Sequence, residues 1–285
     1  MEIKKVGVVG CGLMGRGIAE VSARSGYKVV VSEVNRELLD KGIAEIDRSL
    51  ARGVERGKVS PEDKAAALGR IRGTVSMEDF KDCNIVIEAI TEKMDAKKDV
   101  FRALDGICPQ DTILASNTSC LSITEMAMAT KRPDKVVGLH FFNPAPVMRV
   151  AELVTTIVSS EEIVKTVKAF GQSLGKTVVI TQDQPGFIVN RLLVPFLFDA
   201  IRMYESGLAT REDIDQGVVG GLNHPMGPLT LADLIGLDTL CLLGDAMYQE
   251  LKDPRFSPPI LLKKMVIAGQ LGRKSGKGFY TYKGP

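Results

Sequence analysis

Lys5-Val6-Gly7-Val8-Val9-Gly10-Cys11-Gly12-Leu13-Met14-Gly15-Arg16-Gly17-Ile18-Ala19 decides the fold. A short apolar strand runs straight into glycines, and a helical pattern follows. Gly10 allows the tight turn out of the strand. Gly12 lets backbone approach a pyrophosphate, and Gly15 lets the helix pack close to the sheet. A helix opening there offers free N–H groups and a partial positive charge to phosphates. A second apolar strand, Lys28-Val29-Val30-Val31-Ser32, ends on Glu33, 21 residues after Gly12. An acid at that place accepts hydrogen bonds from an adenosine ribose. Glycine-rich turns alone are common, and an ordinary turn would leave Glu33 without a reason. Strand, turn, helix and acid in this order predict a dinucleotide site with Gly10, Gly12, Leu13, Met14, Gly15 and Glu33 against the cofactor. Glu33 favours NAD over NADP, because a carboxylate beside the ribose repels a 2′-phosphate; Arg36 nearby offsets this only in part.

Composition sets the frame around this turn. The 285 residues suffice for two domains, and 45% of them are hydrophobic, so a sizeable core can be buried. Lys plus Arg is 37 and Asp plus Glu is 35, a formal net charge of +2, which argues against a nucleic-acid partner. No stretch is apolar and long enough to span a membrane, and no secretory signal is readable, so a cytoplasmic location is expected. The cysteines Cys11, Cys83, Cys108, Cys120 and Cys241 are odd in number and scattered, which fits free thiols in a reducing compartment. Two histidines and no clustered thiols predict no metal site.

The first half alternates strand and helix. β-rich runs at 71–75, 84–89, 112–116 and 135–142 are separated by helical patterns at 93–107 and 122–128. Further β-prone runs at 149–158 and 176–181 flank a helix at 161–174 and would extend the sheet. This predicts an α/β fold, a Rossmann-type doubly wound, mostly parallel sheet. Residues 34–70 make one connection too long, since a crossover needs only about a dozen residues. They read as a helical insert at about 36–69, with Ser60 capping a second helix and Pro61 in its first turn. Its basic positions, among them Arg48, Arg52 and Arg56, read from composition as a solvated face. The alternative is a projecting helical pair that grips phosphates.

The chain changes character at Asp183-Gln184-Pro185-Gly186. Pro185 suits a helix start, and 187–204 is apolar almost all round, as in a helix buried on every side with a kink at Pro195. Helices follow at 211–219, 229–234, 238–251 and 259–267, and a short strand at 278–282. Residues 1–183 are therefore expected to form the dinucleotide-binding domain and 184–285 an all-helical substrate and dimerisation domain. The apolar helix predicts a homodimer through this second domain.

Ligands of doubly wound sheets sit at the carboxyl ends of the strands. Ser116-Asn117-Thr118-Ser119 follows one strand, and Gly138-Leu139-His140-Phe141-Phe142-Asn143-Pro144 ends another. Asn117, Ser119 and His140 should share the crevice with the glycine turn, and Glu152 could reach back to His140. Asn190, an amide in an apolar helix, needs a partner. A hydride-transfer enzyme asks the protein to orient a cofactor and handle one proton. His140 is the natural acceptor, because imidazole titrates near operating pH. Glu152 would orient it, and Ser119 and Asn190 would bond the reacting oxygen. Cys120, with no charged activator beside it, reads as structural.

Together these residues resemble the short-chain 3-hydroxyacyl-CoA dehydrogenase family, in particular its bacterial members acting on 3-hydroxybutyryl-CoA. The likeness rests on 10–19, on Ser116-Asn117-Thr118-Ser119, on His140-Phe141-Phe142-Asn143-Pro144 and on Asp183-Gln184-Pro185-Gly186-Phe187-Ile188-Val189-Asn190-Arg191. It continues through Pro225-Met226-Gly227-Pro228 and the tail 272–280. The resemblance implies His140 as catalytic base, Glu152 as its orienting partner, and Ser119 and Asn190 as ligands of the substrate oxygen. It implies that Glu92 and Lys97 touch the cofactor and that Asn117 lies near the nicotinamide. It also turns the insert into a contact for the CoA moiety, with Ser49, Arg52 and Arg56 best placed. The implied reaction is reversible oxidation of a (3S)-3-hydroxyacyl-CoA to the 3-oxoacyl-CoA with hydride passing to NAD, within fatty-acid or butyrate metabolism. The rivals are a dehydrogenase of another 3-hydroxy acid or of a dicarboxylic acyl-CoA, and a non-catalytic dinucleotide-binding protein on the same fold.

Overall fold

The computed structural model describes residues 2–282. They divide into two compact units, one ending at Asp183 and the other starting at Gln184.

The first unit opens with β1 (Lys5–Val9), α1 (Leu13–Arg24) and β2 (Lys28–Ser32). The insert forms α2 (Arg36–Glu55) and α3 (Pro61–Arg70), and β3 (Ile71–Thr74) follows. Then come β4 (Ile85–Glu88), α4 (Met94–Ile107), β5 (Ile113–Ser116) and α5 (Ile123–Ala127). The unit ends with β6 (Val136–Phe141), β7 (Val150–Thr155), α6 (Glu161–Ser173) and β8 (Thr177–Gln182). The strands lie in the order β3-β2-β1-β4-β5-β6-β7-β8. Neighbours are parallel except β6 with β7, which pair antiparallel. The inner strands are buried and mostly apolar because helices cover both faces; β4 and β5 have no exposed residue. The chain winds outward from β1 to β3 and then restarts at β4 on the other side of β1. A crevice opens where the winding reverses, at the carboxyl ends of β1 and β4.

Local chemistry sets the helix starts. The Asn35 side chain accepts from Leu38 N at 2.9 Å, and Ser60 Oγ accepts from Asp63 N at 2.9 Å with Pro61 leading the helix. Asp183 binds the start of α5, accepting from Ile123 N at 3.0 Å and Thr124 N at 2.7 Å. The insert does not simply project. Leu39, Ile46 and Leu50 of α2 are buried in the same core as Val6, Ile18 and Val31, which contributes roughly 2–3 kcal/mol per side chain. Only the outer face of the pair stands clear.

The second unit is helical: α7 (Val189–Glu205), α8 (Arg211–Leu222), α9 (Pro228–Ile235), α10 (Leu237–Leu251) and α11 (Ile260–Ile267). Val194, Phe198, Ile201, Leu240, Met247 and Phe279 share its core. Two buried carboxylates organise it. Asp215 accepts from Leu229 N at 2.8 Å and Thr230 N at 3.0 Å, which satisfies the open end of α9. Asp233 accepts from Phe279 N and Tyr280 N and so holds the tail.

Two expectations are corrected here. The long helix starts at Val189, not at Phe187, because Gly186 (φ +77°) and Phe187 (φ +49°) both take left-handed backbone. It runs through Pro195; in the single chain Leu192 is 71% exposed, and Val194, Leu197, Phe198 and Ile201 form the inner stripe. The expected strand at 278–282 is replaced by isolated bridges of Lys277 with Gly272 and Thr281.

Candidate active site

The glycine turn has the shape its sequence implies. Gly10 (φ +96°) takes a backbone conformation that L residues avoid. A Cβ on Gly15 would lie 1.8 Å from the Gly10 carbonyl oxygen, so the helix touches the turn. A Cβ on Gly12 would meet nothing within 4 Å, and Leu13 is 57% exposed. No side chain caps the start of α1 at Gly12, which leaves its first N–H groups available to an anion. Glu33 stands beside them. Its Oε2 accepts from Cys11 N at 2.9 Å and its Oε1 from Val34 N at 2.8 Å, with lone pairs to spare for ribose hydroxyls. Open cradle, free donors and anchored carboxylate fit a dinucleotide. Removing the carboxylate should cost about 1.5–3 kcal/mol, so a Glu33→Ala variant is expected to weaken NADH binding roughly ten- to hundredfold in a fluorescence titration. NADPH binding should weaken far less.

At the carboxyl ends of β5 and β6 the side chains converge. His140 and Glu152 are register partners across the β6–β7 ladder, so both side chains leave the same face. His140 Nδ1 lies 2.7 Å from Glu152 Oε2, with Glu152 fully buried and His140 4% exposed. The other ring nitrogen, Nε2, is 3.1 Å from Ser119 Oγ. The Phe142 ring packs edge-on against the imidazole, with centroids 4.7 Å apart. Because a carboxylate only accepts, Nδ1 carries the hydrogen and Nε2 is the acceptor.

A polar network fixes the loop that carries Ser119. Glu92 accepts from Ser119 N at 2.9 Å and from the Thr118 hydroxyl. Lys97 Nζ donates to Glu88 at 2.7 Å and lies 3.3 Å from Glu92. Glu88, which sequence reading missed, is fully buried and also accepts from Ser116 Oγ at 2.7 Å and Ile90 N at 2.7 Å. An acid ending the apolar run Ile85-Val86-Ile87 was the available signal. Lys97 is 1% exposed, so it braces Glu92 and Glu88 from beneath rather than presenting itself at the surface of the crevice. Asn117 Oδ1 accepts from Phe141 N at 2.9 Å and ties β5 to β6. Cys120 Sγ donates toward Glu92, and burial pushes its thiol up to about 12, which leaves it unreactive.

Residues expected at other places are distributed as follows. Ser49 is half-buried on α2 and lies near Glu20, whose carboxyl pKa burial raises above the usual range. Arg52 and Arg56 are exposed on the same helix. Asn190 belongs to the second unit, where it is 9% exposed on the first turn of α7. Among the described residues, no group of three or more His, Cys, Asp or Glu is arranged to hold a metal ion.

Comparison with known proteins follows this geometry. Residues 5–184 match the model of the 3-hydroxyacyl-CoA dehydrogenase NAD binding domain, and residues 186–282 match that family's C-terminal domain. A 3-hydroxybutyryl-CoA dehydrogenase of Mycobacterium tuberculosis is 51% identical over 282 residues, covering 98% of this chain and 99% of that protein. The crystal structure of M. tuberculosis FadB2 superposes with a TM-score of 0.97 at 51% identity, covering 99% of this chain and all of that one. The (S)-3-hydroxybutyryl-CoA dehydrogenase PaaH1 of Ralstonia eutropha superposes with a TM-score of 0.95 at 44% identity, covering 99% and 100%. The chain belongs to the 3-hydroxyacyl-CoA dehydrogenase family. It is an oxidoreductase whose first unit is an NAD-binding domain.

Proposed function

We propose that the chain interconverts (3S)-3-hydroxybutyryl-CoA and acetoacetyl-CoA, with NAD as the redox partner. The observation that carries this reading is the buried His140–Glu152 pair at the carboxyl edge of the sheet, with Ser119 Oγ against the other ring nitrogen. Relatives of the same length named for this reaction support the substrate. NAD, when bound, accepts the hydride from C3; Gly10, Gly12, Leu13, Met14, Gly15 and Glu33 would hold it.

His140 Nε2 takes the hydroxyl proton as hydride leaves, and in reverse the imidazolium returns it to the forming alkoxide. Glu152 holds the tautomer and stabilises the imidazolium. Ser119 Oγ, on a backbone that Glu92 holds through the Ser119 N–H, bonds the reacting oxygen, and Asn190 is its second ligand. Ser49, Arg52 and Arg56 would face the CoA moiety, where the guanidinium groups suit its phosphates.

The test is NADH oxidation followed by absorbance, with acetoacetyl-CoA against longer and dicarboxylic 3-oxoacyl-CoAs. Turnover is expected with acetoacetyl-CoA, and its absence with every acyl-CoA would defeat the reading. We also propose a homodimer through the second unit, located in the cytoplasm. Exposed Leu192 on α7 and Leu242 on α10, each 71% exposed, support that surface. Sedimentation of the full chain should give twice the monomer mass. No helix among the described residues is long and apolar enough to cross a membrane.

A further inference from the structure

Lys176 sits just before β8 and is only 7% exposed. Among the described residues, burial and the nearby Arg24, with no carboxylate, make its electrostatic surroundings. Its Nζ instead donates to two backbone carbonyls, Ala145 O at 2.6 Å and Met148 O at 2.8 Å. Burial, and secondarily the nearby Arg24, lowers its pKa below the usual lysine value. An ammonium taken out of water without a counter-charge is costly, so its placement needs a reason.

The two carbonyls belong to residues 142–149, the connection from β6 to β7. His140 stands one rung from the end of that ladder, and Phe142, which packs on its ring, opens the connection. Ends of ladders open first, so slack in the connection reaches the His140–Glu152 rung directly after the terminal Phe141–Ala151 rung. The connection is held from two sides. Ala145 and Pro146 press on α1, where a Cβ on Gly17 would come within 3.2 and 3.3 Å of them. Lys176 holds the opposite end, aided by Thr177 N donating to Arg149 O at 2.8 Å.

We infer that Lys176 is a positioning residue: its buried ammonium staples the β6–β7 connection through two carbonyl oxygens and so keeps His140 aligned on Glu152 for proton transfer. The inference rests on the proposed dehydrogenase reading. The full chain, Lys176→Met and Lys176→Arg are compared with acetoacetyl-CoA and NADH. Lys176→Met should lower kcat by up to about 10²-fold, the effect of a small misplacement of a reacting group, while KM for NADH and NADH binding hold. Lys176→Arg, which still donates, should recover much of kcat. Amide exchange across 142–149 should quicken in Lys176→Met alone. Wild-type kcat in Lys176→Met overturns the inference, and so does a loss of kcat accompanied by loss of NADH binding and of near-UV dichroism, which would be unfolding. An inactive wild-type chain overturns the parent reading as well, and is told apart by that control.

Discussion

Replacing His140 by alanine or asparagine is expected to lower kcat by about 10²–10⁴-fold, the usual worth of a positioned general base, with NADH affinity unchanged. The imidazole is the group on the carboxyl edge that can take a proton from an oxygen bonded to Ser119. The proposed cofactor contacts lie on other strands, at the glycine turn and Glu33, so binding should survive. The two variants differ in stability. Alanine deprives the buried Glu152 carboxylate of the donor on Nδ1, which costs about 1–3 kcal/mol or more. Asparagine keeps a donor nearby and should fold more firmly. Steady-state kinetics beside NADH fluorescence titration decide the matter. An asparagine variant that turns over at the wild-type rate would falsify the assignment of the base.

Gly15→Ala should damage the protein in the opposite way, through architecture. Its methyl would stand 1.8 Å from the Gly10 carbonyl oxygen, a backbone atom that cannot swing aside. Helix and turn must separate, and overpacking of this kind costs about 3 kcal/mol. At about 2–4 °C per kcal/mol for a domain of this size, the melting temperature should fall by about 6–12 °C, and NADH binding should be lost. Gly12→Ala is the control. Nothing lies within 4 Å of its Cβ, and its backbone (φ −70°) suits any residue. It should melt like the wild type yet bind NADH weakly, because the methyl occupies the phosphate approach. Melting curves and titrations on the same samples test both. A Gly15→Ala variant with wild-type stability would mean that the turn is softer than its contacts imply.

The doubly wound sheet was legible because its signals are local. A strand, a glycine turn and a terminal acid lie within one short stretch, and the strand and helix runs alternate plainly. The His140–Glu152 pair was legible from strand position, although the antiparallel reversal that makes the two residues register partners was not. Reversal depends on the connection 142–149, whose conformation is set by contacts with α1 and Lys176 far along the chain. The Glu88–Lys97 pairing was not legible for a related reason. Sequence marks them as charged, and only packing reveals that each is buried because the other is there. The helix start at Val189 was missed because Phe187, a bulky residue, takes left-handed backbone, which no propensity favours.

The reversed seventh strand has a corollary. Interstrand spacing sets how far the acid stands from the ring, once the connection 142–149 is held in place. The proton relay is thus hard-wired within a single rung. The proposed acid–base chemistry is therefore a property of the sheet, set by one ladder rung.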